Sequence, residues 1–248
     1  MKPLLVGLGI SCFGVFAEAG TKPICDKVSF QDVSYTVCEI DPAQNDLRLF
    51  LNDETGRPFG HFSRLENALA ERGEALLFAM NGGMYHSDRR PVGLYIEDSI
   101  EEMHLVEGAG PGNFGMVPNG VFCVSENRAF VVETQDYLRR QPACKYATQS
   151  GPMLVIDGVL HPRFFPESDS RHIRNGVGSD LEGNRVVFVK SDELVNFHAF
   201  ATLFREHLGL PVALYLDGNI SRLFDAGAGR NDTGFRMGPI IGVIDAKH

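Results

Sequence analysis

The chain has 248 residues, of which 44% are hydrophobic and 22% charged, and its formal net charge is −9. This length is enough for one large domain with a sizeable core, and the sequence contains no linker that would divide it. The negative charge and the lack of a Lys/Arg cluster argue against a protein that binds the phosphate backbone of nucleic acid, so nucleic acid is not an expected partner.

The N-terminal segment has the three parts of a secretory signal. Lys2 is followed by an apolar stretch over residues 4–16 and by a small-x-small cleavage site at residues 17–19. The stretch is shorter than the about 20 residues of a membrane-spanning helix, so an uncleaved anchor is the weaker alternative, as is a lipid on Cys12. We therefore expect a signal peptide that ends at residue 19, a single mature domain at 20–248, a periplasmic or secreted location, and no stable membrane insertion after cleavage.

Four cysteines remain in the expected mature chain, namely Cys25, Cys38, Cys123 and Cys144. An even number of cysteines in an exported chain predicts two disulfides, and four buried free thiols are the alternative. We favour Cys25 with Cys38 and Cys123 with Cys144, because each pair closes a short loop, which would contribute about 3 kcal/mol in the chain-entropy model. The spacing of Cys and His matches no zinc site, and we expect no metal and no cofactor.

The N-terminal part of the mature chain predicts strands followed by a helix. Extended segments predict a first sheet at residues 28–30, 35–40 and 47–51. An apolar stripe predicts a helix over residues 63–72, with Ser63 and Glu66 as a capping box and Gly73 as its end.

A buried apolar run over residues 75–80 predicts a strand that ends in Asn81-Gly82-Gly83. Two successive glycines let the backbone approach a ligand closely or adopt positive φ. A simple turn is the alternative. Asn81 and the two glycines are therefore candidates for a binding site.

Residues 110–115 match GxGxxG, the fingerprint of dinucleotide-binding folds. That fingerprint must open a helix, whereas Pro118 and Asn119 follow the match almost at once. We therefore predict a glycine-rich loop without a dinucleotide, in which Asn113 and Phe114 line a pocket.

The second half of the chain predicts further strands and one helix. They are a hairpin at 121–124 and 129–132, strands at 153–156, 186–189, 212–216 and 240–244, and a helix at 196–208. The run at 212–216 stops abruptly at Asp217-Gly218, which predicts a buried strand with a carboxylate at its exposed end. The alternative is an ordinary turn whose aspartate bonds its own backbone.

Residues 161–175 form the only concentrated cationic stretch of this acidic chain. Its cations are His161, Arg163, Arg171, His172 and Arg174. Because arginine binds phosphate oxygens bidentately, the stretch predicts an anion clamp. A surface loop paired with nearby acids is the alternative.

Four segments together resemble the phosphodiester glycosidase family. They are Asn81-Gly82-Gly83-Met84, Gln149-Ser150-Gly151-Pro152, Arg174-Asn175-Gly176-Val177-Gly178 and Leu216-Asp217-Gly218 through Ser221. The resemblance covers roughly residues 45–245, and a GPMLV run at 151–155 is closest to the bacterial branch. It implies an α+β fold with a mixed β-sheet core flanked by helices. The chain departs from the family pattern at Asn219 and Ile220, where glycines often follow Asp-Gly.

The resemblance and the residue patterns together imply an exported hydrolase that cleaves the sugar-phosphate bond of a sugar-1-phosphodiester, with a sugar-phosphate or glycan as its substrate. Asp217 would act as base or nucleophile, and Arg174 would clamp the phosphate charge. The expected substrate-binding residues are Asn81, Gly82, Gly83, Asn113, Ser150, Gly151, His172, Gly218 and Ser221. Two alternatives stay open: a non-catalytic glycan-binding envelope protein, and a metal-assisted phosphodiesterase with Asp217 and Asp157 as ligands.

Overall fold

The computed structural model describes residues 22–110, 112–217 and 220–246, so the predicted signal peptide lies outside the described residues. The helices are α1 (Phe62–Glu71), α2 (Thr134–Arg140) and α3 (Phe197–Thr202). The strands are β1 (Cys25–Phe30), β2 (Val33–Ile40), β3 (Asp46–Phe50), β4 (Glu74–Asn81), β5 (Tyr95–Glu97), β6 (Ile100–Met103), β7 (Gly120–Val124), β8 (Ala129–Glu133), β9 (Tyr146–Ser150), β10 (Met153–Ile156), β11 (Val159–Leu160), β12 (Asn175–Ser179), β13 (Val186–Ser191), β14 (Val212–Asp217), β15 (Leu223–Asp225), β16 (Arg230–Asn231) and β17 (Ile240–Ala246).

These strands form three sheets. The large sheet has the order β1-β2-β13-β12-β14-β10-β11. The second sheet has the order β16-β15-β4-β17-β3, and the third sheet has the order β6-β5-β9-β7-β8. Neighbouring strands pair antiparallel in each sheet, for example β12 with β14, β4 with β17, and β7 with β9. The predicted α+β class is confirmed.

The three sheets meet around the ring of Phe188 on β13. The centroid of this ring lies 5.3 Å from that of Phe78 in the second sheet and 5.6 Å from that of Phe122 in the third sheet. All three side chains are fully buried and belong to one apolar cluster. Aromatic pairs at such distances contribute about 0.5–1.5 kcal/mol beyond the burial of their area. This shared core fixes the position of each sheet relative to the other two.

α3 covers the other face of the large sheet, and a π-helical turn at Leu203–His207 continues it. Phe200 and Phe204 are fully buried there. The side chain of Asn196 caps the helix, because its Oδ1 accepts a hydrogen bond from the backbone N–H of Ala199 at 2.9 Å. The predicted helix is confirmed, and its apolar stripe is part of the core.

α1 packs its apolar side on the second sheet, where Phe62 and Leu65 are fully buried. The predicted helix at 63–72 is confirmed, but its capping box is wrong. The helix begins at Phe62 after His61, whose side chain makes no capping hydrogen bond, and Ser63 lies inside the first turn. Burial of Phe62 therefore outweighs the local capping signal. Within the described ranges, no helix combines the length and the apolar character needed to cross a membrane.

β3 and α2 differ from the sequence prediction. The sequence predicts one first sheet from β1, β2 and β3, but β3 pairs with β17 in the second sheet, because long-range packing selects strand partners. α2 has no counterpart among the predicted elements. It buries only Thr134, so no apolar stripe marks it, and its caps are Glu133 and the left-handed Gln141.

Both predicted disulfides are present. Cys25–Cys38 joins β1 to β2 at directly paired positions. Cys123–Cys144 joins β7 to the segment just before β9. The bridges close loops of 13 and 21 residues, so each fastens neighbouring strands of one sheet.

Glu97, the last residue of β5, carries a largely buried carboxyl group. Its Oε2 accepts a hydrogen bond from the Tyr95 hydroxyl at 2.6 Å and another from the Leu51 backbone N–H at 3.1 Å. Burial is the main cause that raises the pKa of Glu97 to about 7. A carboxyl whose pKa is raised by folding holds its proton more tightly in the folded state. Its contribution to stability is therefore fully present below its unfolded pKa and is lost as the pH rises through about 7.

Glu97→Gln should remove this pH dependence, because the amide is neutral at every pH. We expect the free energies of unfolding of the variant and the wild type to be closest at pH 5. At pH 8 the variant should be more stable, by an amount on the order of 1–3 kcal/mol. Urea unfolding at both pH values measures the difference, with Glu126→Gln, an exposed carboxyl, as control. A wild type and a Glu97→Gln variant with parallel pH dependence would contradict the assignment.

Candidate active site

The side-chain amide of Asn175 joins the large sheet to the second sheet. Asn175 begins β12 and is fully buried. Its Oδ1 accepts hydrogen bonds from Nδ2 of Asn81 at 3.3 Å and from the backbone N–H of Asp217 at 3.0 Å. Its Nδ2 donates to the backbone carbonyl of Asn81 at 3.2 Å. Asn81 ends β4 and Asp217 ends β14, so two of the predicted site residues meet at one side chain.

Asp217 lies half-buried at the end of β14, opposite Asn175 in the strand register. The register shifts at this point, since Asn175 pairs with Asp217 whereas Gly176 pairs with Tyr215. Such bulges re-aim side chains and occur often beside active sites. The charge of Asp217 affects two phenols, Tyr85 and Tyr215. Burial and, after it, the charge of Asp217 raise the pKa of Tyr85 to about 12. Burial also raises the pKa of Tyr215; there the charge of Arg174 lowers the pKa and the charge of Asp217 raises it.

The hydrogen-bonded group of Asn81, Asn175 and Asp217 is called the junction below. Hydroxyl groups of β9 attach the third sheet to it. The Ser150 hydroxyl donates a hydrogen bond to the backbone carbonyl of Leu216 at 2.8 Å, and the Thr148 hydroxyl donates to that of Gly82 at 2.7 Å. Both side chains are buried. The sequence predicts that Ser150 contacts substrate. In the structure the Ser150 hydroxyl donates to the backbone of Leu216, the residue before Asp217. This hydrogen bond fixes the end of β14 that carries Asp217.

Ser221 and Arg222 close the junction from the segment that follows Asp217. The Ser221 hydroxyl lies 2.9 Å from the backbone carbonyl of Ile173 and 3.1 Å from that of Asp217. The backbone N–H of Arg222 donates to Oδ1 of Asn81 at 2.9 Å. The side-chain amide of Asn81 is thus bonded on both sides, to Asn175 and to Arg222.

The guanidinium of Arg222 is a buried cation that binds backbone carbonyls. It donates to the Asp232 carbonyl at 2.9 and 2.6 Å and to the Phe235 carbonyl at 2.9 Å. Nδ1 of His61 lies 3.4 Å from Nη1 of Arg222, and burial together with the charge of Arg222 lowers the pKa of His61. Arg222 therefore holds the segment after β16 against the start of α1.

Three glycines allow close contacts between segments of the protein. A Cβ at Gly83, which has a φ of +141°, would lie 2.7 Å from Oγ1 of Thr148. A Cβ at Gly151 would lie 1.8 Å from Oδ1 of Asn119, and Gly82 is packed closely against β17. The sequence predicts that Gly82, Gly83 and Gly151 make room for a ligand. The space beside each of them is filled by the protein itself.

Arg174 is the largest of the fully buried side chains described. Its Nε donates to the Val195 carbonyl and its Nη2 to the Ser170 carbonyl, each at 2.9 Å, and its guanidinium carbon lies 3.6 Å from the Phe197 ring centroid. Nη1 and the nearby Tyr215 hydroxyl are both buried and have no well-formed hydrogen bond in the described part of the chain. Of the guanidinium nitrogens of the predicted clamp, Nη1 is thus the one without a well-formed hydrogen bond to the described residues, and it lies buried near Tyr215.

The cationic stretch at 161–175 does not converge on one point. His161 is buried, with Nε2 at 3.1 Å from the Val117 carbonyl, whereas Arg163 and Arg171 are exposed. Burial lowers the pKa of His161. The stretch therefore supplies Arg174 as a single inward arginine rather than a cluster.

The other predicted contacts are not tied to this junction. The His172 side chain is exposed, and its backbone pairs with Val195. Asn113 is half-buried in the 3₁₀ turn Gly112–Gly115, where Phe114 is buried rather than lining a pocket. Gly218 lies outside the described residues.

The two aspartates of the metal alternative lie at opposite ends of β14. Asp157 precedes Gly158, whose backbone N–H donates to the Pro211 carbonyl just before the strand, whereas Asp217 ends the strand. Six residues of strand span about 20 Å, so the two carboxylates cannot share an ion. Among the described residues there is also no group of three or more His, Cys, Asp or Glu side chains arranged for a metal.

The sequence predicts no role for several residues at or near the junction, among them Asn175, Tyr85 and Tyr215. Asn175 lies within one of the family motifs, and Tyr85 directly follows another. This position in the sequence could have identified both. Tyr215 lies inside the apolar run at 212–216, and nothing in the sequence separates it from its core neighbours.

The family model for phosphodiester glycosidases matches residues 74–240, a range that contains Asn81, Asn175 and Asp217. The chain belongs to the phosphodiester glycosidase family. The uncharacterized protein YigE of Escherichia coli K12 is 33% identical over 222 residues, covering 89% of this chain and 84% of YigE. Membership of the family assigns the chain a glycosidase-type hydrolase function in general terms.

Solved structures share the fold of this phosphodiester glycosidase. The catalytic domain of zebrafish N-acetylglucosamine-1-phosphodiester alpha-N-acetylglucosaminidase, auto-inhibited by its pro-peptide, matches with a TM-score of 0.60 and 16% identity, covering 90% of this chain and 82% of that domain. A hypothetical protein from Synechocystis matches with a TM-score of 0.58 and 13% identity, covering 89% of this chain. This chain spans 61% of the Synechocystis protein.

Asn175→Asp should weaken the junction of this phosphodiester glycosidase. The change removes the donor to the Asn81 carbonyl and places a buried carboxylate beside Asp217. We expect a loss of at least about 1–3 kcal/mol in the free energy of unfolding, because a buried polar group is left without its partner. Urea denaturation measures the loss, and Asn67→Asp, exposed on α1, is the control. Equal stability of the two variants would show that Asn175 does not couple the sheets.

Proposed function

We propose that the protein is an exported hydrolase that cleaves the bond between the sugar and the phosphate of a sugar-1-phosphodiester. The observation that carries this proposal is the half-buried carboxylate of Asp217, held at the junction of the three sheets by Asn175. Family membership supports the reaction class. The zebrafish enzyme acts, by its name, on an N-acetylglucosamine phosphodiester, so we take N-acetylglucosamine as the first sugar to test.

In this reaction the bond between the anomeric carbon and the bridging phosphate oxygen breaks. The oxygen of water becomes the new hydroxyl group on the sugar. The electron pair of the broken bond stays with the phosphate, which leaves as a phosphomonoester, and the second proton of water passes to the base or the solvent. Asp217 serves as the base that deprotonates water, with inversion, or as the nucleophile that forms a glycosyl intermediate, with retention.

One carboxylate suffices because the leaving group is a phosphate. An ordinary glycosidase needs a second carboxyl group as acid, since a sugar hydroxyl leaves poorly without a proton. A phosphomonoester is already a good leaving group, so stabilisation of its growing charge becomes the larger requirement. Arg174 supplies a buried positive charge, with Nη1 as its remaining donor beside Tyr215.

Export is part of the proposal. Residues 1–19 have the pattern of a signal peptide, and location in the periplasm or outside the cell would follow from its cleavage. The disulfides Cys25–Cys38 and Cys123–Cys144 support this location, because disulfides persist in oxidising compartments.

Asp217→Asn should abolish turnover without unfolding the protein, because the amide keeps the size of the carboxylate but is neither base nor nucleophile. Hydrolysis of a phosphodiester of N-acetylglucosamine in ¹⁸O-labelled water measures turnover and identifies the broken bond, since label must appear in the sugar. Asp157→Asn is a matched control, because Asp157 also precedes a glycine but lies in the exposed turn between β10 and β11.

Wild-type turnover in Asp217→Asn would remove Asp217 from the mechanism. Label in the phosphate would mean attack at phosphorus, and the proposal would be withdrawn. Binding of the phosphodiester by the wild type without hydrolysis would favour the alternative of a non-catalytic glycan-binding protein.

Arg174→Lys should lower kcat and kcat/KM together, by roughly ten- to a hundredfold. Lysine keeps the charge but loses the planar fork, and a charge-assisted hydrogen bond in the transition state is worth about 1.5–3 kcal/mol. The loss of the bonds to Val195 and Ser170 should also lower stability. The kinetic constants are therefore measured per folded molecule, with exposed Arg171→Lys as control. A loss of stability with unchanged kcat would mean that Arg174 is purely structural.

A further inference from the structure

A tight turn after Tyr85 presents two adjacent arginines that differ in their contacts. The backbone N–H of His86 donates to the Arg90 carbonyl and that of Arg89 to the His86 carbonyl, each at 2.8 Å. Arg89 has a φ of +78°, a left-handed conformation that side chains other than glycine rarely adopt.

The charge of Arg90 is neutralised within the turn, but that of Arg89 is not. Nε of Arg90 lies 2.7 Å from Oδ2 of Asp88. Arg89 forms no ion pair in the part of the chain that the structure describes. Its guanidinium carbon lies 5.2 Å from the ring centroid of Tyr85, and the side chain is half-buried. Arg89 therefore donates none of its five N–H groups to a residue that the structure describes.

Tyr85 fixes Arg89 relative to the site. The Tyr85 hydroxyl donates a hydrogen bond to the Arg236 carbonyl at 3.2 Å. Its ring packs on Gly238, where a Cβ would lie 2.6 Å from the tyrosine side chain. Arg236 directly follows Phe235, whose carbonyl binds Arg222, and the backbone N–H of Arg222 is bonded to Asn81, so Tyr85 is tied to the segment that closes the site.

The neighbouring arginines are already bound to the protein. The guanidinium of Arg222 binds the carbonyls of Asp232 and Phe235, and Nη2 of Arg236 lies 3.4 Å from the Pro58 carbonyl. Among these three, Arg89 alone has a half-buried side chain with no hydrogen bond to the described protein, whereas Arg236 is exposed and Arg222 is buried.

We propose that Arg89, held beside Tyr85, binds the phosphate of the substrate and makes the enzyme selective for phosphodiesters. This inference rests on the proposed function. The guanidinium fork matches two phosphate oxygens, and partial burial reduces the screening of its charge by water. Arg174 is fully buried, whereas Arg89 is half-buried and so can be reached from solvent.

The experiment compares the wild type with Arg89→Gln and with its neighbour Arg90→Gln, which changes the net charge equally. Two substrates are used: a phosphodiester of N-acetylglucosamine 1-phosphate and the neutral para-nitrophenyl glycoside of the same sugar. Arg89→Gln should lower kcat/KM for the phosphodiester roughly ten- to a hundredfold and leave the neutral glycoside unchanged. Arg90→Gln should leave both substrates unchanged. Thermal unfolding confirms that both variants are folded.

Equal losses of kcat/KM on both substrates would mean that Arg89 supports the fold or binds the sugar. A loss of kcat/KM in Arg90→Gln equal to that in Arg89→Gln would mean that the effect comes from net charge alone. Either result overturns the proposal. Calorimetric measurement of N-acetylglucosamine 1-phosphate binding tests the Arg89 phosphate site separately from the proposed hydrolase function. If the wild type hydrolyses neither substrate, the proposed function fails, yet weaker binding in Arg89→Gln alone would still support the phosphate site. Unchanged binding in Arg89→Gln would overturn it.

Discussion

The side-chain amide of Asn175 is the group on which the arrangement of the site depends. It is fully buried, so each of its polar atoms must bond to the protein to offset the loss of water. Its oxygen receives the Asn81 amide and the Asp217 backbone, and its nitrogen binds the Asn81 carbonyl. A shorter or apolar side chain would leave those groups unpaired. The backbone of Asp217 is therefore held by the same side chain that hydrogen-bonds the large sheet to the second sheet.

Local patterns were sufficient to predict most of the elements that carry the site. The apolar runs before Asn81 and Asp217 are the buried strands β4 and β14, and the favoured cysteine pairs are the observed disulfides. Errors arose where distant residues decide the outcome. The start of α1 follows the burial of Phe62, and β3 follows its pairing with β17. Neither contact leaves a mark in the surrounding sequence.

The roles of the polar residues were harder to predict than their positions. Ser150 belongs to a quoted motif and lies at the junction, but its hydroxyl binds the Leu216 carbonyl. Arg174 was the conspicuous cation, and the structure stacks it on Phe197 within the core. A sequence records that a side chain is cationic or hydroxylic, but not whether water, protein or ligand surrounds it. Arg89 and Arg90 are identical neighbours, and only the fold distinguishes them.

The junction also has a consequence for the order of folding. The hydrogen bonds of Asn81 reach partners 94 and 141 residues away along the chain. Contacts of such high sequence separation are slow to form, because a long loop must close before they contribute. Each sheet can acquire its own strands earlier, but the hydrogen bonds around Asp217 exist only after all three have docked. The site is thus formed only when all three sheets of the chain have docked. A partly folded chain has no site.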